Sequence, residues 1–574
     1  MSLRWFQKLS ASAPTGGSSD GHWRNLPEGW KGKGPDGSPQ FGRTWVRRGK
    51  SKLKDFVKLY PHQADFVKAV QAIPDGGGII AAHGTGTGKT ISSIAAFEDL
   101  KKTGKAARAL VVAPAGLRGN FLEKGVNKFT DSKGVIVTNP NQEIPDDAEY
   151  VITSYSAFRN NPDAFLQNYL PDTIIADEFH RAGNPGGKTF KAMRRASEVV
   201  PRFLGLTASI SQNDPSDIAP LIDIAAGDKA PEVIRDKKKF KTRYTRKQQT
   251  RQRGVFGGKT YEKRMIRQPE LEALLGKSVH YLEDLDADKK PAKDVETVEV
   301  DMSKDQMSAY RMSMKGIDPK VRAKIAEGIP VEQKEALNVF TKLMRARQVS
   351  NSLHTHIPNM TLAQAAEATP KVKRLLDDAQ AHIQDTPDAQ IIMYSNLVKG
   401  GVDVIEAGLK ARGIPYGVFS GKGNKGVTEA SRQQAVKDYQ DGKNKVILIT
   451  GAGAEGLSLG NTTMVQLADG HYNPERISQA EARGVRAKGL SHRPKEKRRV
   501  AVKRYVSVIP RNFWQKITFQ KQKEKSVGQW VYTTAAKKER TNKQLREVLS
   551  RRAEYNTKQR AKQEAPASRL FGAS

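Results

Sequence analysis

His83-Gly84-Thr85-Gly86-Thr87-Gly88-Lys89-Thr90 follows the apolar run Ile79-Ile80-Ala81-Ala82 and precedes Ile91-Ser92-Ser93-Ile94-Ala95-Ala96. The sequence reads as a strand, a glycine-rich turn and the start of a helix. Backbone N–H groups in such a turn point inward and wrap phosphate oxygens, and the helix N-terminus adds partial positive charge. In this reading Gly84, Gly86, Thr87 and Gly88 form the cradle, Lys89 reaches the β- and γ-phosphates, and the Thr90 hydroxyl holds Mg²⁺. The strict pattern has Gly where this chain has His83, and Gly84 beside it supplies the conformational freedom.

A phosphate loop alone binds a nucleotide; hydrolysis needs a carboxylate for the metal and a group that places water. Thr173-Ile174-Ile175-Ala176-Asp177-Glu178-Phe179-His180 offers both at the end of an apolar strand. Open α/β folds bind ligands at that edge. Asp177 is read as the Mg²⁺ carboxylate and Glu178 as the general base. Far downstream, Gln479-Ala480-Glu481-Ala482-Arg483-Gly484-Val485-Arg486 sets two arginines three apart on one helix face, a spacing that suits guanidinium fingers on a γ-phosphate.

Around these motifs, apolar runs alternate with helical periodicity, which argues for parallel sheets covered by helices. The first series of strands is read at 79–82, 109–113, 134–138, 150–153, 173–176 and 203–206, and the second at 391–394, 416–419, 446–450, 463–467 and 504–508. The expected fold is α/β, two parallel-sheet lobes in tandem with helical insertions and basic terminal extensions. The 574 residues divide into a basic, flexible N-terminal arm (1–50), lobe 1 (51–234), a basic and helical interlobe insertion (235–365), lobe 2 (366–512) and a basic helical C-terminal extension (513–574).

Charge points to the partner. Lys and Arg number 97 against 61 Asp and Glu, a net +36, so a polyanion is expected and nucleic acid before an anionic membrane. Between residues 235 and 267, Lys239, Arg243 and Arg246 stand among fourteen basic residues interleaved with Phe240, Tyr244, Phe256 and Tyr261, a pattern read as nucleic-acid contact. Trp5, Trp23, Trp30 and Trp45 in the arm either stack on bases or dock on the protein's own surface. With no Cys there is no disulfide, thiolate zinc site or cysteine nucleophile. With no membrane-length apolar run and no signal-peptide core, a soluble intracellular protein is expected.

The order of motifs resembles the superfamily 2 helicase-like ATPases, specifically the Swi/Snf-type double-stranded DNA translocases. Leu59-Tyr60-Pro61-His62-Gln63 is similar to the adenine-recognising glutamine motif. Val111 through Ala115 is similar to motif Ia, Val151 through Tyr155 to the next DNA-contacting strand end, and Asp177 through His180 to a DExH box. Leu206-Thr207-Ala208-Ser209 resembles motif III, Tyr394-Ser395-Asn396 motif IV, Thr450 through Leu459 motif V, and Tyr472-Asn473-Pro474 with Gln479 through Arg486 motif VI. Three departures stand out: Gly451 where the family often has Arg, Ser458 where it has Asn, and Phe179 within the box where it has Ala.

The resemblance implies two RecA-like lobes with ATP and Mg²⁺ in the cleft between them. Lys89, Asp177 and Glu178 come from one lobe, and Gln479, Arg483 and Arg486 from the other. Gln63 and Gly456 join the nucleotide contacts, and Pro114, Ser154, Tyr155, Ser395 and Thr450 the DNA contacts. The implied activity is a DNA-dependent ATPase that translocates on duplex DNA without reading its sequence. The run from Arg483 to Val500 and the segment Lys525 to Trp530 are most similar to virus- and phage-encoded members. That implies a place in the host cytoplasm or nucleoid and partners in viral replication, recombination or transcription. The rivals are a strand-separating DNA or RNA helicase and a nucleic-acid-binding virion protein with a decayed ATPase. Retention of Lys89, Asp177, Glu178, Arg483 and Arg486 together argues against decay.

Overall fold

The computed structural model describes residues 21–34, 36, 38–47, 50–251, 259–283, 290–331, 333–357, 359–420, 427–451, 459–485, 489–511 and 524–564. These form two compact units. Unit 1 comprises 1–250, 261–285 and 541–574, and unit 2 comprises 251–260 and 286–540.

Unit 1 opens with four short strands, β1 (Gly21–Asn25), β2 (Lys31–Lys33), β3 (Pro39–Phe41) and β4 (Arg43–Arg47), paired β1 with β4 and β2 with β3, both antiparallel. Over these residues the expected flexible arm is instead a folded module. Leu26 and Trp30 are buried in the core of unit 1, and Arg24 forms an ion pair with Asp172 at 2.5 Å. A composition of Gly, Pro and Arg hid strands whose anchors lie more than a hundred residues away. The arm's first 20 residues, Trp5 among them, lie outside the described residues.

The body of unit 1 is a seven-stranded sheet. Its strands are β5 (Gly77–His83), β6 (Ala109–Ala113), β7 (Gly134–Ile136), β8 (Tyr150–Ser154), β9 (Thr173–Ala176) and β10 (Arg202–Thr207), with a seventh at one edge. A two-stranded sheet, β11 (Thr245–Arg251) with β12 (Lys259–Met265), precedes that edge strand, β13 (Val279–Leu282). The order is β13-β5-β10-β9-β6-β8-β7, with the pairings parallel throughout. Alternate residues feed the two faces. Ile80, Leu110, Val112, Val151 and Ile174 pack on one side, and Ile79, Val111, Ile152, Ile175 and Leu204 on the other. Burial on both faces is why these strands read as unbroken apolar runs.

Unit 2 holds a six-stranded sheet of β14 (Ala292–Asp301), β15 (Ile391–Ser395), β16 (Tyr416–Phe419), β17 (Val446–Thr450), β18 (Met464–Leu467) and β19 (Arg499–Val508). The order is β14-β19-β18-β15-β17-β16, again parallel. The 235–365 insertion is therefore not one block. β13 completes the first sheet, while β14 and the helices of 304–351 belong to unit 2. The long helix Val527–Glu564 is likewise divided, through Arg540 with unit 2 and from Thr541 with unit 1. Among the described residues no helix is long and apolar enough to cross a membrane.

Candidate functional site

In a parallel sheet every strand delivers its carboxyl end to one edge. In unit 1 that edge collects the motifs. β5 runs into the phosphate loop, which ends in helix α2 (Lys89–Lys102), and helix α1 (Pro61–Gln71) carries the glutamine motif just upstream. Gly86 and Gly88 both sit at φ +81°, where an L side chain is strained, so the loop needs glycine at both. Space adds to the demand at Gly88, where a Cβ would lie 2.5 Å from the Gln63 amide nitrogen. No side chain caps α2, so its first N–H groups face the loop. Lys89 Nζ donates to the carbonyls of His83 and Gly84, 3.1 Å each, which holds the ammonium at the mouth of the loop. Gln63 accepts from Tyr60 N–H at 2.9 Å and donates to the Thr87 carbonyl at 3.1 Å. His62 Nε2 lies 2.9 Å from the same carbonyl, so the motif braces the loop.

The first loop position has its own explanation. The His83 ring is buried on β5, with Nε2 2.7 Å from Nδ1 of His280 on β13 and in a T-shaped contact with Phe66. It packs inward, away from the turn that follows. Burial first, then His280, Lys89 and His62, push the His83 ring down to about 2. An unfolded chain takes up this proton near pH 6.5 and the folded one does not. Stability from this site is therefore complete above pH 6.5 and falls as the pH drops below it, by at most about 1.4 kcal/mol per pH unit. Unfolding of unit 1 followed at pH 7.5 and 5.5 should show this loss, and His83→Gln should flatten it; an equal slope in the variant would remove His83 as the cause.

Across β10 from the phosphate loop, β9 ends in Asp177 and Glu178. Tyr155 donates from its hydroxyl to the Asp177 carbonyl at 2.7 Å and fixes the strand end. Burial, and next the Glu178 charge, push the Asp177 carboxyl up to about 7, while Lys89 and Arg181 pull it down. A divalent cation would hold it ionised. Thr90 and Asp177 supply hard oxygen donors, the set that fits Mg²⁺. Glu178 adopts a left-handed backbone, φ 50° and ψ 48°, costly for a residue with a side chain. His180 Nδ1 lies 3.4 Å from the Glu178 carboxylate and 3.1 Å from the Thr207 hydroxyl at the end of β10. The acid pair, the box histidine and the motif III threonine thus form one connected group.

In unit 2, helix α3 (Pro474–Gly484) is N-capped by Asn473, which accepts from Glu475 N–H at 2.9 Å. Its inner face holds Ile477, Ala480 and the buried Glu481, which pairs with Arg504 at 2.5 Å and Lys293 at 2.6 Å. Gln479 and Arg483, four apart, are half-buried on another face. Arg486 and Gly456 lie outside the described residues.

The sequence profile of the SNF2-related domain matches residues 2–355, and that of the helicase conserved C-terminal domain matches 371–488. The chain belongs to the SNF2-related family. It is an ATP-hydrolysing, helicase-like enzyme with two RecA-like lobes. A relative in Acanthamoeba polyphaga mimivirus, named as ATP-dependent RNA helicase L538, is 23% identical over 465 residues, 80% of this chain and 91% of the relative. The ATP-dependent helicase YqhH of Bacillus subtilis is 21% identical over 433 residues, 74% of this chain and 72% of the relative. The solved Sulfolobus solfataricus SWI2/SNF2 ATPase core in complex with dsDNA is 17% identical with a TM-score of 0.36, covering 88% of this chain and 98% of that one.

Several residues expected at nucleic-acid contacts in this SNF2-related protein hold structural positions. Ser154 is buried and N-caps the helix Tyr155–Asn160, accepting from Ala157 N–H. Tyr155 is buried with its hydroxyl on Asp177. Ser395 is buried and donates to Asp469 at 2.5 Å. Pro114 and Thr450 are buried strand ends. In the basic segment, Phe240 and Tyr244 are core residues on one face of the helix Lys237–Tyr244, so they do not present rings to bases. Lys239 pairs with Glu232 and Arg243 with Glu270, and Arg246 is exposed on β11.

Sequence reading missed Asp469, which follows β18. Its carboxylate accepts from Asn396 N–H (3.1 Å) and side chain (3.0 Å), from Asn351 (3.2 Å), from Ser395 and from Arg347 (3.4 Å). An Asp-Gly pair closing an apolar run is the signal that marked it, and it reads equally as a turn.

Proposed function

We propose that this protein is a DNA-dependent ATPase that couples hydrolysis to translocation along double-stranded DNA. The observation that carries the ATPase half is the gathering of Lys89, Thr90, Asp177, Glu178, His180 and Thr207 at one sheet edge. Lys89 and the α2 N-terminus hold the triphosphate, and Glu178 takes the proton of the attacking water. Thr90 and Asp177 would hold Mg²⁺, which would supply neutralisation of phosphate charge. Gln479, Arg483 and Arg486 are assigned to the γ-phosphate on the resemblance of motif VI. Contact between Thr207 and His180 ties motif III to the acid pair, a route by which DNA engagement alters the placement of water.

The DNA half rests on the Swi/Snf-type order of motifs and the net charge of +36. Contacts to phosphate ignore sequence and weaken with salt. The similarity to virus-encoded members, with a mimivirus relative, supports a viral source and replication, recombination or transcription proteins as partners. The name of that relative favours a second reading, an RNA helicase. ATPase rates with no nucleic acid, blunt duplex DNA and duplex RNA decide between them. Duplex DNA should stimulate most, and the protein should displace a triplex strand while leaving a forked duplex paired. Equal stimulation by RNA, or separation of the fork, would overturn the translocase reading.

A further inference from the structure

We propose that the β1–β4 module is a docking surface for single-stranded DNA flanking the duplex on which the enzyme acts. The choice of DNA rests on the function proposed above; the surface itself rests on separate observations.

The module is a fixed platform. Besides the buried Leu26 and Trp30, Arg24 donates to the Pro171 carbonyl at 2.9 Å and to Asp172, and Lys33 pairs with Asp146 at 2.5 Å. Asp172 is itself held by the N–H groups of Ala107 and Arg108 at 2.8 and 3.0 Å. Within the module β2 crosses tightly over β4, where a Cβ on Gly32 would lie 2.2 Å from the Arg43 carbonyl oxygen.

What the module presents differs from what anchors it. Trp23 and Trp45 are cross-strand partners with ring centroids 5.3 Å apart, and the Arg43 guanidinium lies 4.3 Å over Trp23. Lys31 and Phe41 are partners in the β2–β3 register, with the ammonium 5.1 Å from the ring centre. Phe41 is 71% exposed. Cation–aromatic pairs occur about once per 70–80 residues, and here two fall within residues 21–47. Those residues carry five Lys and Arg against two acids.

A single exposed phenylalanine needs no explanation. A flat ring with a cation beside it offers both halves of a nucleotide contact, a face for a base and a charge for its phosphate. Base faces are free only in a single strand; a duplex would engage Lys31 and Arg43 and leave Phe41 idle. The anchor at Asp172 lies at the amino end of β9, whereas Asp177 and Glu178 lie at its carboxyl end. The module is thus remote from the hydrolytic groups, and its loss leaves them intact.

The test uses the full chain and labelled DNA at fixed salt: a blunt duplex, the same duplex with a single-stranded flank, and the flank alone as DNA and as RNA. Wild type should prefer the flanked duplex. Phe41→Ala should weaken binding to the flanked duplex and the free DNA strand about fivefold or more, with blunt-duplex binding and blunt-duplex ATPase unchanged. Lys31→Gln should weaken the same two and reduce their salt dependence. Wild-type behaviour of Phe41→Ala on the flanked duplex would overturn the proposal, as would equal losses on blunt and flanked DNA, which mark simple phosphate contact. Tighter binding of the RNA strand would overturn the choice of DNA. Absence of duplex-stimulated ATPase with an intact Phe41 effect on the free DNA strand would sink the motor and leave the surface standing.

Discussion

Replacing Glu178 by Gln should cut duplex-stimulated ATP hydrolysis by about 10²–10⁴-fold, the usual contribution of a general base, while ATP still binds. The two side chains have the same volume, and the amide oxygen still accepts a hydrogen bond, so the substitution removes the proton acceptor and little else. Its setting makes the role specific. A left-handed backbone at φ 50° turns the residue out of β9 immediately after Asp177, and His180 lies 3.4 Å from its carboxylate. A non-glycine residue held there stores about 1–3 kcal/mol of strain. Phosphate release under single-turnover conditions, beside equilibrium binding of a fluorescent ATP analogue, separates chemistry from affinity. Wild-type turnover in the variant would remove Glu178 as the base. Loss of binding as well would mean that the carboxylate shapes the loop instead.

Legibility of the chain followed burial. β6, β9 and β17 run over the residues the apolar runs mark, because both faces of a central parallel strand are covered, and the edge strand β16 does so while only partly buried. β14 did not declare itself. Only Val298 and Val300, alternating with Glu299 and Asp301, are sheltered, and its first six residues are exposed, because it is an edge strand. The phosphate loop and acid pair were legible because their chemistry demands particular residue types at a strand end. The nucleic-acid contacts were less so. Ser154 carries the signature of a helix cap, and Phe240 and Tyr244 that of helical burial at i and i+4, and both patterns imitate a binding motif in so basic a chain. Docking on the protein's own surface describes Trp30 among the N-terminal tryptophans. Trp30 is core, while Trp23 and Trp45 form a half-buried pair on the module's sheet.

Replacing Asp469 by Ala should destabilise unit 2 by about 3–5 kcal/mol, the cost of removing one partner from a buried charged group. Arg347, only 8% exposed at its side chain, loses its carboxylate and keeps the Gly470 carbonyl at 2.7 Å. Asn351, Ser395 and Asn396 lose an acceptor each. Against a typical domain stability of about 5–15 kcal/mol, this is a large fraction. Lys371, buried beside Asn351 and donating to the Ala468 carbonyl at 2.7 Å, gives the effect a signature in pH. Burial pushes its ammonium down to about 8, and Asp469 is the charge that holds it up. Without Asp469 the folded-state value falls further, while the unfolded chain still titrates near 10.4. The unfolded state then binds the extra proton over a wider window, so the stability of the variant should rise with pH more steeply between 7 and 8 than that of wild type, whose Lys371 is still partly protonated there in the folded state. Adding Lys371→Met to the variant should remove that rise and recover part of the loss, since an apolar replacement of a buried pair is often near neutral. Denaturant unfolding at pH 7 and 8 of the three proteins measures all of this, and a profile no steeper than that of wild type in the single variant would detach Lys371 from the network. The same residues connect through the chain itself to the helix that bears Gln479 and Arg483. Asp469 and Gly470 lead through Tyr472, over whose ring Arg347 lies at 5.4 Å, to Asn473, the cap of the helix bearing Gln479 and Arg483. A loosened cap should therefore lower kcat in Asp469→Asn, which keeps an acceptor oxygen and the fold, before ATP affinity changes.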